Sequence, residues 1–285
     1  MNTLRTSATS SRAAADLPPV AFIGGGNMAS AIIGGLAAQG MPLERIHVVE
    51  PFDAARAQLQ SKLGVTAKAA AGEDLRACHT VVWAVKPQSF REAAQTVAPF
   101  TGSALHLSVA AGIRSDSISG WLGTQRVVRG MPNTPALVGA GMTGLYAGAG
   151  VSEADRSHVD VLLSSTGQRL WFDQERQLDA VTALSGSGPA YVFYFLEAMV
   201  QGGVEMGLTP DQARQLAVAT FAGATALAAA SDDPLQEMRQ RVTSKGGTTY
   251  AAITSLEADG VQQAFVKAVH AAQQRAKELG DEFGT

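Results

Sequence analysis

Along this chain the spacing of apolar positions changes once, near Leu178. Before that point, short β-branched runs alternate with Ala-rich amphipathic stretches. The runs predict strands at Val20–Ile23, Ile46–Val49, Thr80–Val85, Ala104–Val109, Arg126–Met131, Gly144–Ala147 and Leu170–Phe172. Helix-length segments such as Met28–Gln39 and Ala54–Leu63 separate the early strands. Strand–helix–strand alternation predicts a parallel sheet with helices on both faces.

Beyond Leu178 the strand pattern stops. Pro189–Gly203, Pro210–Ala230, Pro234–Arg241, Thr249–Asp259 and Val261–Leu279 all read as helices. Pro189, Pro210 and Pro234 sit at helix starts, where a missing N–H costs least, and Thr209 and Asp233 precede two of them as expected caps. These Ala/Gly-rich helices carry too few charges to be bathed in solvent on all sides, so they are expected to pack against a second copy of themselves.

Composition narrows the function. The chain has 285 residues, 46% hydrophobic and 16% charged, with 22 basic and 25 acidic side chains and a net charge of −3. So balanced a charge, without a basic cluster, argues against a nucleic-acid partner. Cys78 is the single cysteine, which excludes an internal disulfide and suits a reducing cytoplasm. Five scattered histidines and that one thiol have no zinc-ligand spacing, so no metal is expected. Residues 1–17, "MNTLRTSATSSRAAADL", are expected to form a disordered extension. The most apolar run, Leu216 to Ala230, is too short to span a bilayer and reads as a buried bundle helix, so no membrane partner is expected.

The stretch "VAFIGGGNMASAI" sets Gly24, Gly26 and Ala29 in a G-x-G-x-x-A spacing, directly after a strand and opening a helix. Gly24 permits the tight turn, Gly26 lets a pyrophosphate approach the backbone, and Ala29 lets helix and strand pack closely. Asn27 and Met28 open the helix whose N-terminus faces the phosphate charge. The first domain, 18–176, is therefore expected to be a Rossmann-type dinucleotide-binding domain, with an all-α dimerisation and substrate domain over 177–285. Glu50 ends the second strand, where a carboxylate accepts the ribose 2′-OH of NAD, while Arg56, one short helix turn on, is placed to meet the 2′-phosphate of NADP. NADP and NAD both stay open. Other strand ends reach the same edge: Val85, Lys86 and Pro87 in "VVWAVKPQ", Ala110 and Gly112 in "LSVAAGI", and Asn133 with Thr134 between two prolines. Ligands of open α/β sheets sit at the carboxyl ends of strands, so these loops are expected to line the nicotinamide pocket. Lys86 reads equally as a catalytic ammonium or as a solvated lysine before a proline.

Far downstream, "TSKGGTTY" (243–250) places a glycine pair between hydroxyls where a new helix begins. Together with "VTALSGSGPAYVF", "MPNTPA" and "VKPQ", the signature "TSKGGTTYAAITSLE" resembles the pyrroline-5-carboxylate reductase family, with the likeness running from Val20 to Leu279. Met238 stands where that family usually carries a branched aliphatic. The resemblance implies a Rossmann domain followed by a helical domain that interlocks with a partner chain. It also implies homo-oligomers, at least dimers and commonly decamers. The reaction implied is reduction of the C=N bond of 1-pyrroline-5-carboxylate by NADPH or NADH, the last step of proline biosynthesis.

For that substrate, Ser244, Gly246, Gly247, Thr248 and Thr249 are expected to present helix-start amides to the carboxylate. Thr249 is the expected catalytic hydroxyl at the ring nitrogen. Ser187, with Ser185 and Gly188, is expected to form a second wall where the helix at Pro189 starts. Two other readings fit part of the pattern. A β-hydroxyacid dehydrogenase or general imine reductase would carry its acid as a lysine on the helix after "SGSGPA", which here holds Glu197 and no lysine. A sensor that binds NADP without turnover would leave "SKGGTT" without a role.

Overall fold

Strand β1 (Val20–Ile23) is buried at every residue, because it lies between β2 and β4 and under helices on both faces. The computed structural model describes residues 14–283. After β1 come α1 (Asn27–Ala38), β2 (Ile46–Val49), α2 (Asp53–Leu63), β3 (Ala67–Lys68) and β4 (Thr80–Trp83). These are followed by α3 (Pro87–Thr101), β5 (Leu105–Ser108), α4 (Ser115–Leu122), β6 (Val127–Met131), β7 (Gly141–Ala147), α5 (Glu153–Leu162) and β8 (Gly167–Phe172). One sheet takes the spatial order β3-β2-β1-β4-β5-β6-β7-β8. The period of two then divides the core. Val20 and Phe22 face a cluster with Ile32, Ile33, Leu36 and Val48, while Ala21 and Ile23 face one with Trp83, Phe90, Val97 and Ile118.

The expectation of a wholly parallel sheet needs correcting. β7 pairs antiparallel with β6, and β8 then runs parallel to β7. The connection from β6 to β7, residues 132–140, holds one short 3-10 helix, Thr134–Val138, and is too short for the helical crossover that a parallel partner requires. β3 was not expected at all; it has only two residues and carries no run of apolar positions. Of the expected 1–17 extension, residues 1–13 lie outside the described residues. Over 14–17 the expectation of disorder fails, since Ala14 and Leu17 are buried in the main core cluster.

Two imidazoles, one buried and one half-buried, are expected to make the sheet domain sensitive to acid. Trp83 donates Nε1–H to His106 Nδ1 at 3.1 Å, and His106 Nε2 lies 3.2 Å from Thr101 O. These partners suit the neutral Nε2–H ring; a second proton on Nδ1 would face the Trp83 N–H. Burial pushes His106 down to about 4, and does the same at His158, whose Nε2 lies 2.8 Å from Thr80 Oγ1. Both folded values are depressed, so their stabilisation is complete above the ordinary value of 6.5 and is lost as pH falls towards about 4. For His106 the limit is about 3 kcal/mol. Urea midpoints should fall between pH 7 and pH 4.5, and the fall should shrink in His106→Gln. Asp155, held at about 2 by Arg126, takes no part in that window.

The second half comprises α6 (Gln177–Val181), α7 (Gly188–Glu205), α8 (Pro210–Ala229), α9 (Leu235–Arg241), α10 (Thr248–Ala258) and α11 (Val261–Phe283). Thr209 caps α8 in a reciprocal box with Gln212. At α9 Pro234 is itself the N-cap, and the expected cap Asp233 pairs with Arg241 instead.

The chain packs as two units. One runs through Ser187 and takes in the residues from Ala272 onward; the other is Gly188–Ala271. The boundary thus falls later than the expected 176/177, because α6 packs on the sheet: a Cβ on Gly144 of β7 would meet Val181 at 2.8 Å. Within the helical unit, Gly203 approaches Ala213 so closely that a Cβ would lie 2.8 Å from it, and Phe265 contacts Tyr191 and Phe195 at 5.5 Å between rings. Yet Tyr194, Met206, Leu227 and Leu235 stay exposed. Among the described residues, no helix is long and apolar enough to cross a membrane.

Candidate active site

The two glycines of the first turn have different physical reasons. Gly24 sits at φ +94°, and a Cβ there would lie 2.6 Å from Ala84 O and 3.2 Å from Val85 Cγ1. The loop after β4 therefore rests on the turn after β1. Gly26 is the N-cap of α1, extended at φ −71° and ψ −170°, and a Cβ there would meet nothing within 4 Å. No side chain caps α1 and its first turn holds no acid, so exposed Gly26 and Asn27 stand at a bare, positive helix end. This uncapped cradle fits a pyrophosphate. Met28, next along, is half-buried and packs on the core below.

Glu50 lies beside the same turn. Its Oε2 accepts the Gly25 N–H at 2.8 Å and its Oε1 the Phe52 N–H at 3.0 Å. Arg56 Nη1 donates to the carbonyls of Glu50 and Pro51 at 2.9 and 2.8 Å, and its Nη2 pairs with Asp53. Sequence reasoning chose Gly24 and Gly26 and passed over Gly25, although three successive glycines were the signal. A Cβ on Gly25 would meet Leu59 Cδ1 at 2.5 Å.

The remaining strand ends are less uniform than their sequence suggested. Lys86 is exposed and forms the N-cap of α3, with Pro87 at the first helical position. Ala110 is buried, so it offers backbone rather than side chain. Gly112 sits at φ +78°, and a Cβ there would touch Leu279 at 3.2 Å and Phe283 at 3.5 Å; its glycine answers to the end of α11. Asn133 works as a brace: its Oδ1 accepts the Met142 N–H at 2.9 Å, and its Nδ2 reaches Ser185 O and Oγ at 3.3 and 3.2 Å. Just past Gly112, Arg114 makes a two-pronged pair with Asp179 at 2.8 and 2.9 Å, and Glu175 accepts from Ser115 and Arg129. Sequence patterning missed this network, since its members are far apart along the chain.

Ser187 is not at a free helix start. A π-type turn over Thr182–Gly186 joins α6 to the helix after it, and the Ser187 N–H donates to Thr182 O at 2.8 Å. With its amide taken, Ser187 has its hydroxyl left for the expected second wall.

In the helical unit, Gly246 adopts φ +76° and Gly247 is the extended N-cap of α10. The Gly247 N–H closes a turn on Ser244 O at 3.0 Å, and a Cβ on Gly247 would sit 2.7 Å from Ser244 Oγ. Gly246 is thus required by the left-handed turn, whereas a Cβ on the extended Gly247 meets first a hydroxyl that can rotate, and Gly247 is not the free donor expected of it. No side chain caps α10, so the first-turn amides of Thr248, Thr249 and Tyr250 are the ones open to an anion. Thr248 and Thr249 are exposed there.

A mostly parallel sheet with a glycine turn at an uncapped helix end, followed by an all-helical unit, places the chain in the dinucleotide-binding class of folds. Residues 19–112 match the family model described as NADP oxidoreductase coenzyme F420-dependent, and residues 175–279 match pyrroline-5-carboxylate reductase dimerisation. The pyrroline-5-carboxylate reductase of Pseudomonas aeruginosa is 44% identical over 94% of this chain and 98% of its own, and that of Haemophilus influenzae 40% over 91% and 97%. Among solved structures, a pyrroline-5-carboxylate reductase from Coxiella burnetii superposes with TM-score 0.83 at 37% identity, covering 92% of this chain and 98% of its own. The pyrroline carboxylate reductase of Plasmodium falciparum, solved with NADP bound, gives 0.83 at 29% identity over the same shares. The chain belongs to the pyrroline-5-carboxylate reductase family, whose members are NAD(P)H-dependent oxidoreductases. Its dimerisation region makes it a homo-oligomer, in keeping with the exposed apolar helices.

Proposed function

We propose that this chain reduces the C=N bond of 1-pyrroline-5-carboxylate to L-proline with hydride from NADPH or NADH, and that its own residues mainly bind and place the reactants. The observation that carries this reading is the uncapped start of α10 after the left-handed Gly246, in a chain whose other unit opens with an uncapped glycine turn. Gly24, Gly26, Asn27 and Met28 hold the pyrophosphate, and Val85, Lys86, Pro87, Ala110, Gly112 and Asn133 shape the edge beyond it. The reduced nicotinamide, when bound, supplies the hydride. The amides of Thr248 and Thr249 bind the substrate carboxylate, with Ser244, Gly246 and Gly247 building the turn that exposes them. Ser187 contributes its hydroxyl.

Thr249 hydrogen-bonds the ring nitrogen. A cyclic imine is basic enough to be partly protonated in neutral water, so orientation rather than a strong acid supplies most of the rate. The assembly is a dimer or a higher multiple such as a decamer, working in the cytoplasm on this small molecule and on no nucleic acid. The test is spectroscopic. Adding 1-pyrroline-5-carboxylate to the protein with NADPH or NADH should discharge the nicotinamide absorbance and form proline in equal amount. A protein that only senses the nucleotide leaves the absorbance unchanged.

A further inference from the structure

Glu50 occupies the position where sequence alone suggests a ribose contact, yet its surroundings describe another task. It is 6% exposed, and each of its carboxylate oxygens already accepts a main-chain amide. One amide belongs to Gly25, the middle residue of the glycine turn; the other belongs to Phe52, in the turn between β2 and α2. The main chain of Glu50 is also fixed, because its N–H donates to Lys68 O at 2.8 Å and its carbonyl accepts from Arg56. The carboxylate therefore cannot swing outward without stranding the buried Gly25 N–H. Arg56 draws in the same β2–α2 turn from its carbonyl side, through Glu50 O and Pro51 O.

We propose that Glu50 is a positioning residue: it clamps the Gly25 amide to the end of β2, so that the glycine turn has its pyrophosphate-binding shape before either cofactor arrives. The inference rests on the reading that this turn binds the dinucleotide, and it extends that reading by removing Glu50 from the choice between NADPH and NADH. Gly25 is where such a clamp must act. Gly24 is held by its own amide bond to Val49 O at 2.8 Å, and Gly26 must stay open to the ligand. A carboxylate is the group that can accept two amides at once; a glutamine keeps one acceptor and turns an NH2 towards the other N–H.

The experiment measures Kd for NADPH and for NADH by calorimetry, with substrate KM and kcat at saturating cofactor. Glu50→Gln should weaken both cofactors by about tenfold, in the same ratio, and leave substrate KM unchanged. Phe52→Pro supplies a second arm without adding a buried group. Phe52 is exposed, its φ of −87° is a small backbone turn from the roughly −65° of proline, and the change removes the second amide donor together with a solvent-facing ring. Both Kd values should rise there too, by a smaller factor. A loss confined to NADH in Glu50→Gln, with NADPH unchanged or tighter, would overturn the proposal in favour of a ribose contact; unchanged Kd values in both variants would overturn it outright. If Gly26→Val fails to weaken the cofactors, the glycine turn is not the dinucleotide site, a failure distinct from that of the clamp.

Discussion

Gly26→Val is expected to weaken NADPH and NADH binding at least tenfold while the protein stays folded. The backbone at Gly26 is extended, which any residue adopts, and the added side chain meets no protein atom within 4 Å. Its fold cost is that of a poorer N-cap, from a few tenths to about 1 kcal/mol, or a Tm shift of at most about 4 °C. The space it fills is where the pyrophosphate would approach the amides of α1. Gly24→Val makes the contrast. There the backbone is left-handed and a Cβ would sit 2.6 Å from Ala84 O, so that variant should fail as a folded protein rather than as a cofactor binder. Calorimetry with thermal unfolding on both variants checks the pair. Unchanged nicotinamide binding in folded Gly26→Val would remove the glycine turn from the cofactor site.

Thr249→Ala should lower kcat more than it raises KM for the imine. A hydroxyl that donates to the unprotonated ring nitrogen gains strength as that nitrogen takes up the C=N electron pair, so its loss falls mainly on the transition state. The loss of one hydrogen bond to a charged group is about 1.5 to 3 kcal/mol, on the order of ten- to a hundredfold in kcat. Thr249→Ser restores the hydroxyl and should recover much of it. Thr249 is exposed in the first turn of α10, and the removed hydroxyl makes no cap there, so the fold should not suffer. A substitution that only frayed the helix start would raise KM through the amides proposed to bind the carboxylate and spare kcat. Wild-type kcat in Thr249→Ala would assign the ring nitrogen to water or another group.

Local chemistry made much of the candidate site legible. The G-x-G-x-x-A turn, Pro87 at the start of α3, the Thr209–Gln212 box and the glycine pair before α10 each follow from what neighbouring residues permit, and neighbours are visible in a sequence. Other roles were hidden because they depend on partners distant along the chain. Glu50 meets Gly25 only because β1 and β2 lie side by side. Asn133 braces Ser185, and Arg114 grips Asp179, across separations that no period or motif encodes.

By itself, then, the sequence determined that a glycine turn opens an α/β half, that an all-helical half follows with apolar faces to cover, and which signature residues stand at the start of α10. Those are properties of short stretches, set by backbone sterics and by the periods of strand and helix. Only the tertiary structure decided the reversed pair β7 and β8, the return of the chain from Ala272 to the first unit, and the burial of Ala14 and Leu17. It also decided that the Gly247 and Ser187 amides are already bonded while the Glu50 carboxylate is held by main chain. The physical reason is common to all of them. Hydrogen-bond satisfaction and close packing are settled between segments, so the free donors of a site are those left over once the fold has taken its share.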